Sequence, residues 1–184
     1  MHREENVDNP AHLVGVLRAI VDLQASMGLR VVVSTHPRLR DRLKRLELKV
    51  DTSTLELAEP FGYLDFVKLQ RNARCVVSDS GTISEESAIL GFPAITIRNA
   101  IERPEALDAA SLILTGLSSG AIERAVELVV GEWDAGYRPE MPAEYRVRDC
   151  SHRVVRLING LAGLHSRWSN LDPKLLSLAD LDDA

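Results

Sequence analysis

The chain has 184 residues, 45% hydrophobic and 27% charged, with a formal net charge of -5, which suits one soluble globular domain with a substantial core. The negative balance and an aromatic content of 4% argue against nucleic acid as the main partner, because phosphate neutralisation needs a basic surface and single strands need stacking platforms. No apolar run approaches the roughly 18 residues of a membrane span, and Met1-His2-Arg3-Glu4-Glu5 lacks the apolar region of a signal peptide. Cys75 and Cys150 are too few for a disulfide framework, so a reducing, cytoplasmic setting is expected.

Residues 1–8 are polar, and Asn9-Pro10 then offers a cap followed by proline at the first helical position. Leu13, Val16, Leu17, Ile20, Val21 and Leu23 keep near-helical spacing, which predicts a long helix to Met27 that Gly28 ends. Leu29–Ser34 is a β-branched run that suits a parallel strand buried on both faces. A basic helix from Pro37 to Leu46, a weak strand near Leu55–Leu57 and a helix from Tyr63 to Asn72 follow, the last with Phe66, Val67 and Leu69 facing inward. Strands at 74–78, 94–97 and 111–115 then alternate with helices at 83–90, 105–109 and 118–132, the βαβ pattern of an α/β protein. After an irregular stretch with Gly136, Pro139 and Pro142, a last amphipathic helix runs from Ser151 to His165. The expected organisation is one α/β domain over 1–165 and a peripheral helix or tail over 166–184.

The chemistry gathers at Val76-Val77-Ser78-Asp79-Ser80-Gly81-Thr82-Ile83-Ser84-Glu85-Glu86. A buried strand, a polar turn hinged on Gly81 and a helix start together make a phosphate-sized anion site, since helix N-termini present unpaired amides and a partial positive charge. Thr82 and Glu85 have the spacing of a capping box. The turn taken alone fits an ordinary capped connection as well as an anion site. The sequence contains neither G-x-x-x-x-G-K-S/T nor G-x-G-x-x-G, which disfavours triphosphate hydrolysis and a standard dinucleotide fold. Parallel sheets bind ligands beyond the carboxyl ends of their strands, so His36-Pro37-Arg38, Ser78–Glu86 and Arg98–Glu105 should share one rim, with Arg38, Arg98 and Glu102 among its candidates. Such loops make a cradle for a diphosphate.

These residues carry a resemblance. His2-Arg3-Glu4-Glu5-Asn6, Ser78 to Glu86, Gly91-Phe92-Pro93, Arg98 and Glu102-Arg103-Pro104-Glu105 look like the C-terminal domain of the non-hydrolysing UDP-N-acetylglucosamine 2-epimerases, in order from residue 2 to about residue 162. The segments from His2 and Ser34, with the Gly81-Thr82 variant, are most similar to a branch acting on 6-deoxy UDP-sugars on the way to UDP-N-acetyl-L-fucosamine, a building block of capsules and O-antigens. The resemblance implies a Rossmann-like three-layer α/β sandwich with a mainly parallel sheet, the C-terminal half of a two-domain GT-B-type protein that binds UDP in a cleft.

Carried over residue by residue, the resemblance implies that Ser80 and Gly81 contact phosphate oxygens, with Thr82 replacing a glycine that many members have and adding a hydroxyl. It implies that Glu86 binds the ribose hydroxyls, Arg103 the diphosphate, Phe66 lies near the uracil and His2 sits in the active site. Read without the family, His2 is more simply a solvated residue of a polar segment. The family eliminates UDP to give a 2-acetamidoglycal and adds it back after C2 is reprotonated on the other face, a reaction for which no metal or cofactor is expected. Charge developing on the diphosphate would be stabilised by amide dipoles and Arg103, and His2 would bind the leaving group or shuttle a proton.

The family's acid/base carboxylates belong to an N-terminal Rossmann-like domain. The strand that ordinarily precedes the His-Arg-Glu segment also has no counterpart, since Met1 stands before His2. The expectation is an isolated C-terminal half that binds UDP or a UDP-N-acetylhexosamine weakly and does not epimerise alone, with an open sheet position for a partner segment. A homodimer is carried as a candidate assembly. The rival readings are half of a UDP-sugar-dependent glycosyltransferase and a non-catalytic nucleotide-binding module.

Overall fold

The computed structural model describes residues 9–45 and 51–164. His2, Leu46 and the 166–184 tail lie outside them. Helix α1 (Pro10–Met27) starts as its sequence demands: the Asn9 side chain accepts from the amides of Ala11 and His12 at 3.0 and 3.3 Å, and Pro10 occupies the first turn. Gly28 closes the helix in the left-handed region, with φ 63° and its amide on the Gln24 carbonyl. Strand β1 (Val32–Ser34), helix α2 (Pro37–Arg45), strand β2 (Glu56–Ala58) and helix α3 (Tyr63–Asn72) follow. Then come β3 (Val76–Ser78), α4 (Ile83–Leu90), β4 (Ala94–Thr96), α5 (Pro104–Asp108), β5 (Ile113–Leu114) and α6 (Ser119–Asp134).

All strand pairs are parallel. β1 pairs with β2, Val33 opposite Leu57, and β3-β4-β5 form a second sheet with Val77 opposite Ile95 and Ile95 opposite Ile113. The expected parallel α/β architecture is present, divided among the described residues into two sheets rather than one.

The pleat explains the layers. Successive side chains of a strand point to opposite faces. Cys75, Val77, Ile95, Ile97 and Ile113 accordingly pack with Val16, Ala19 and Leu23 of α1 and Ile122, Ala125, Val126 and Val130 of α6. The alternate residues Val76, Ala94 and Leu112 pack on the other face with Ile83 of α4, Phe92 and Ala106 of α5. A third cluster places Leu13 and Leu17 of α1 with Leu39 of α2, Leu55, and Val31 and Val33 around β1. Ile20 of α1 borders both the first and the third clusters, so one helix ties the two sheets together.

Two features depart from the sequence reading. On α3 the expected inward residues Phe66 and Leu69 are 38% and 41% exposed, and the buried position is Gln70 at 4%. Helical periodicity identifies an apolar stripe but not whether an element lies against it. The second concerns the chain beyond Tyr145, where the structure divides into two compact units between Tyr145 and Arg146. In the second unit, helix α7 (Cys150–Leu161) is amphipathic as expected, with Val154, Val155, Leu157 and Ile158 exposed.

Ile95 is fully buried at the centre of the α1–α6 layer. Replacing it with alanine is expected to lower unfolding free energy by about 2–5 kcal/mol through lost burial and a residual cavity. Chemical denaturation monitored by circular dichroism checks this through a lower midpoint with an unchanged slope.

Candidate functional site

The carboxyl ends of β1, β3 and β4 deliver the three polar loops singled out in the sequence. After β3 the backbone turns through Asp79, Ser80, Gly81 and Thr82 before α4 begins. The turn is bound to itself: the Ser80 amide donates to Ser78 Oγ at 3.0 Å, and the Thr82 amide to Ser80 Oγ at 3.4 Å. The amides of Ile83, Ser84 and Glu85 form the first turn of α4, where no carbonyl one turn earlier lies inside the helix to receive them. Two glutamates in that turn, Glu85 and Glu86, are favourably placed against its partial positive charge.

The expected capping box does not form. Thr82 has helical torsions, φ -81° and ψ -5°, and makes no side-chain cap bond. Its hydroxyl donates instead to Glu86 Oε1 at 2.6 Å, while Glu85 Oε1 accepts from Arg103 Nε. A helical Thr82 does not turn its oxygen toward the amides that a cap serves, and a guanidinium competes better than an amide for the Glu85 carboxylate.

A continuous polar network results. Ser80 Oγ lies 2.9 Å from Thr82 Oγ1, Thr82 reaches Glu86 Oε1, and Glu86 Oε2 accepts from Gln70 Nε2 of α3 at 2.6 Å. Gln70 was not singled out in the sequence. Its only signal there was a polar residue on a helix next to apolar neighbours, which is ordinarily read as surface. Gly81 is half-buried within the turn, and Phe66 is exposed on α3.

The arginines are less open than the sequence suggested. Arg98 is only 4% exposed and its two terminal nitrogens donate to Glu102, one at 2.6 Å, so it is a buried ion-pair member rather than an exposed rim cation. Arg103 is partly buried against Glu85 through Nε, which leaves its two terminal nitrogens as the groups able to reach an anion. Arg38 is exposed in the first turn of α2, where its amide donates to His36 Nδ1 at 3.3 Å. In the same turn Arg40, not predicted as a site residue, pairs with Glu59 at 2.8 Å and also reaches Thr35 Oγ1.

Sequence reasoning also missed Tyr145, whose phenol lies in the electrostatic field of Glu105, Glu85 and Arg103. Burial pushes its phenol up to about 12, and the Glu105 and Glu85 carboxylates add to the rise against a lowering by Arg103. Cys75 is likewise pushed up to about 12 by burial, which makes it a packing residue and not a thiolate at neutral pH. Among the described residues no cluster of three or more His, Cys, Asp or Glu side chains is arranged to hold a metal, and no helix is long and apolar enough to cross a membrane. A small cavity lined by Pro93, Ala94, Leu112, Ile113 and Trp133 lies at the amino ends of β4 and β5, away from these loops.

The family model for UDP-N-acetylglucosamine 2-epimerase matches residues 1–159. The chain belongs to this family. It is 36% identical over 135 residues to the UDP-N-acetylglucosamine 2-epimerase of Methanocaldococcus jannaschii, covering 72% of this chain and 37% of that protein. It is also 30% identical over 132 residues to the UDP-2,3-diacetamido-2,3-dideoxy-D-glucuronate 2-epimerase of Pseudomonas aeruginosa, covering 72% and 36% of the two chains. The crystal structure of the Methanocaldococcus jannaschii enzyme in complex with UDP-GlcNAc and UDP superposes with a TM-score of 0.75 at 32% identity, over 86% of this chain and 43% of that one. The chain thus spans well under half the length of the curated epimerases it matches.

The raised Tyr145 ionisation has a definite sign. A phenol whose folded value lies above its ordinary 10 contributes stability that is complete below pH 10 and is lost as pH rises toward 12. Between pH 10 and 12 the wild-type chain is therefore expected to lose more unfolding free energy than Tyr145→Phe. Urea denaturation of both at each pH is the measurement.

Proposed function

We propose that this chain is the UDP-binding half of a UDP-N-acetylhexosamine 2-epimerase that inverts C2 by eliminating and re-adding UDP. The observation that carries the reading is the Glu86 carboxylate, held at the start of α4 beside the Ser80–Thr82 hydroxyls, in a chain whose family match spans residues 1–159. In this reading Glu86 accepts from the ribose hydroxyls, a common use of an acid at the edge of a Rossmann-like crevice. Ser80, Gly81 and Thr82 receive the diphosphate at the helix N-terminus. The free end of the Arg103 guanidinium adds charge there, and Glu85 fixes its orientation through Nε. Phe66, exposed on α3, lies near the uracil, and Arg38, Arg98 and Glu102 complete the rim, Arg98 as a buried support.

C–O cleavage transfers negative charge to the departing diphosphate. Groups that bind this charge more tightly than the ground-state ester lower the barrier, and fixed amides with a pre-oriented arginine do so without reorganising. His2, outside the described residues, is assigned to the active site by resemblance alone. The residues that move the C2 proton are proposed to lie in an N-terminal Rossmann-like half supplied by a larger polypeptide or a partner. A homodimer, a cytoplasmic setting and a product destined for capsule or lipopolysaccharide complete the proposal, with no cofactor.

A non-catalytic nucleotide module shares the binding prediction but not the chemistry. Calorimetric titration with UDP is expected to show binding that Glu86→Ala and Arg103→Ala each weaken by about tenfold, as loss of a charged hydrogen bond would. Unchanged affinity in both variants would remove the assignment.

Incubated with UDP-N-acetylglucosamine in deuterated water, the chain alone is expected to incorporate no deuterium at C2 by NMR. Sustained exchange would show that its own residues suffice. Exchange that appears only when the missing half is added would separate the epimerase from a binding module.

A further inference from the structure

We infer that Gln70 and Thr82 form a two-point clamp that orients the Glu86 carboxylate to receive a ribose cis-diol. The inference rests on the assignment of Glu86 to the ribose and adds the residues that position it. Each Glu86 oxygen already accepts one hydrogen bond: Oε1 from the Thr82 hydroxyl and Oε2 from the Gln70 amide, both at 2.6 Å. An ionised carboxylate has about four acceptor sites, two per oxygen. With one on each oxygen taken, rotation of the group is arrested and one site per oxygen is left over, the complement of two neighbouring hydroxyl donors.

The two anchors come from different elements. Thr82 belongs to the turn that starts α4, whereas Gln70 is the one buried side chain of α3. Gln70 is a poor choice for packing alone, because its Oε1 is buried with no hydrogen-bond partner among the described residues. An apolar side chain of similar length would fill the same volume without burying an unpaired amide oxygen. What the glutamine adds is its Nε2 donor to Glu86.

The proton direction follows from the chemistry. The carboxylate can only accept, so the Thr82 proton goes to Glu86, and Thr82 Oγ1 must take the Ser80 proton across their 2.9 Å contact. The donor chain therefore runs from Ser80 through Thr82 to Glu86. The hydroxyl nearest a bound phosphate and the carboxylate nearest a bound ribose belong to one network, and Thr82 is its link. A glycine at position 82 would supply neither the link nor the Oε1 anchor.

The test is calorimetric titration of UDP and of 2′-deoxy-UDP into the wild-type chain, Gln70→Met and Thr82→Val, with thermal melts of all three. Wild type is expected to prefer UDP by roughly tenfold, the scale of one hydrogen bond to a charged group. In each variant the preference is expected to fall to about twofold; in Gln70→Met, which removes no group assigned to the diphosphate, affinity for 2′-deoxy-UDP stays within about twofold of wild type. The melting temperature of Gln70→Met should be equal or higher, since the buried unpaired oxygen is removed. If wild type prefers UDP and both variants keep the full preference, the clamp is wrong and the Glu86 assignment stands. Equal weakening of both nucleotides in Gln70→Met would mean a merely structural role and would also overturn it. If wild type itself shows no preference, the Glu86–ribose assignment fails and the clamp with it. Should Gln70→Met fail to fold, the ratio of the two affinities in the exposed Thr82→Val variant decides: a ratio near twofold supports the clamp and a retained tenfold ratio overturns it.

Discussion

The burial of α1 is the constraint on which the rest of the described fold depends. Among those residues β1 and β3 are not hydrogen-bonded to each other, so backbone pairing does not join the β1-β2 and β3-β4-β5 sheets. What joins them is one helix whose Leu13 and Leu17 lie in one cluster and whose Val16, Ala19 and Leu23 lie in the next. All five of these side chains are buried, four of them completely. Apolar burial is non-directional, and for that reason it can hold two sheets in register where a hydrogen-bond ladder is interrupted. The strand ends that carry the polar loops are positioned by this packing.

On that frame the functional loops are arranged by competition for carboxylates. Glu85 is taken by Arg103, Glu86 by Gln70 and Thr82, and Glu102 by Arg98. Each pairing orients a carboxylate and offsets part of the cost of desolvating it. A turn of few residues can thereby present hydroxyls, amides and a fixed carboxylate together.

Much of this was legible in the chain itself. The helix from Pro10 to Met27 was bounded by a cap and a glycine whose chemistry is local. The limits of α3 and α4, at 63–72 and 83–90, follow from periodicity and from turn residues beside them. Ser80 and Thr82 stand out because a strand, a glycine turn and a helix start have a recognisable order, whereas Glu86 is singled out by the family resemblance alone. The misreadings were non-local. Thr82 and Glu85 had the spacing of a capping box, but Arg103, eighteen positions away, captured Glu85. Phe66 and Leu69 had the spacing of a buried stripe, but the described chain places no element over them.

The sequence alone determined the element types and the parallel α/β class, because propensity, capping and hydrophobic period act over a few residues. Only the tertiary structure decided which charge each arginine meets, that Gln70 is buried against Glu86, and that the strands sort into two sheets under one helix. The Gln70–Glu86 and Arg103–Glu85 contacts join side chains 16 and 18 positions apart. Their energies come from burial and pairing in a shared low-dielectric space, and local spacing carries no record of it.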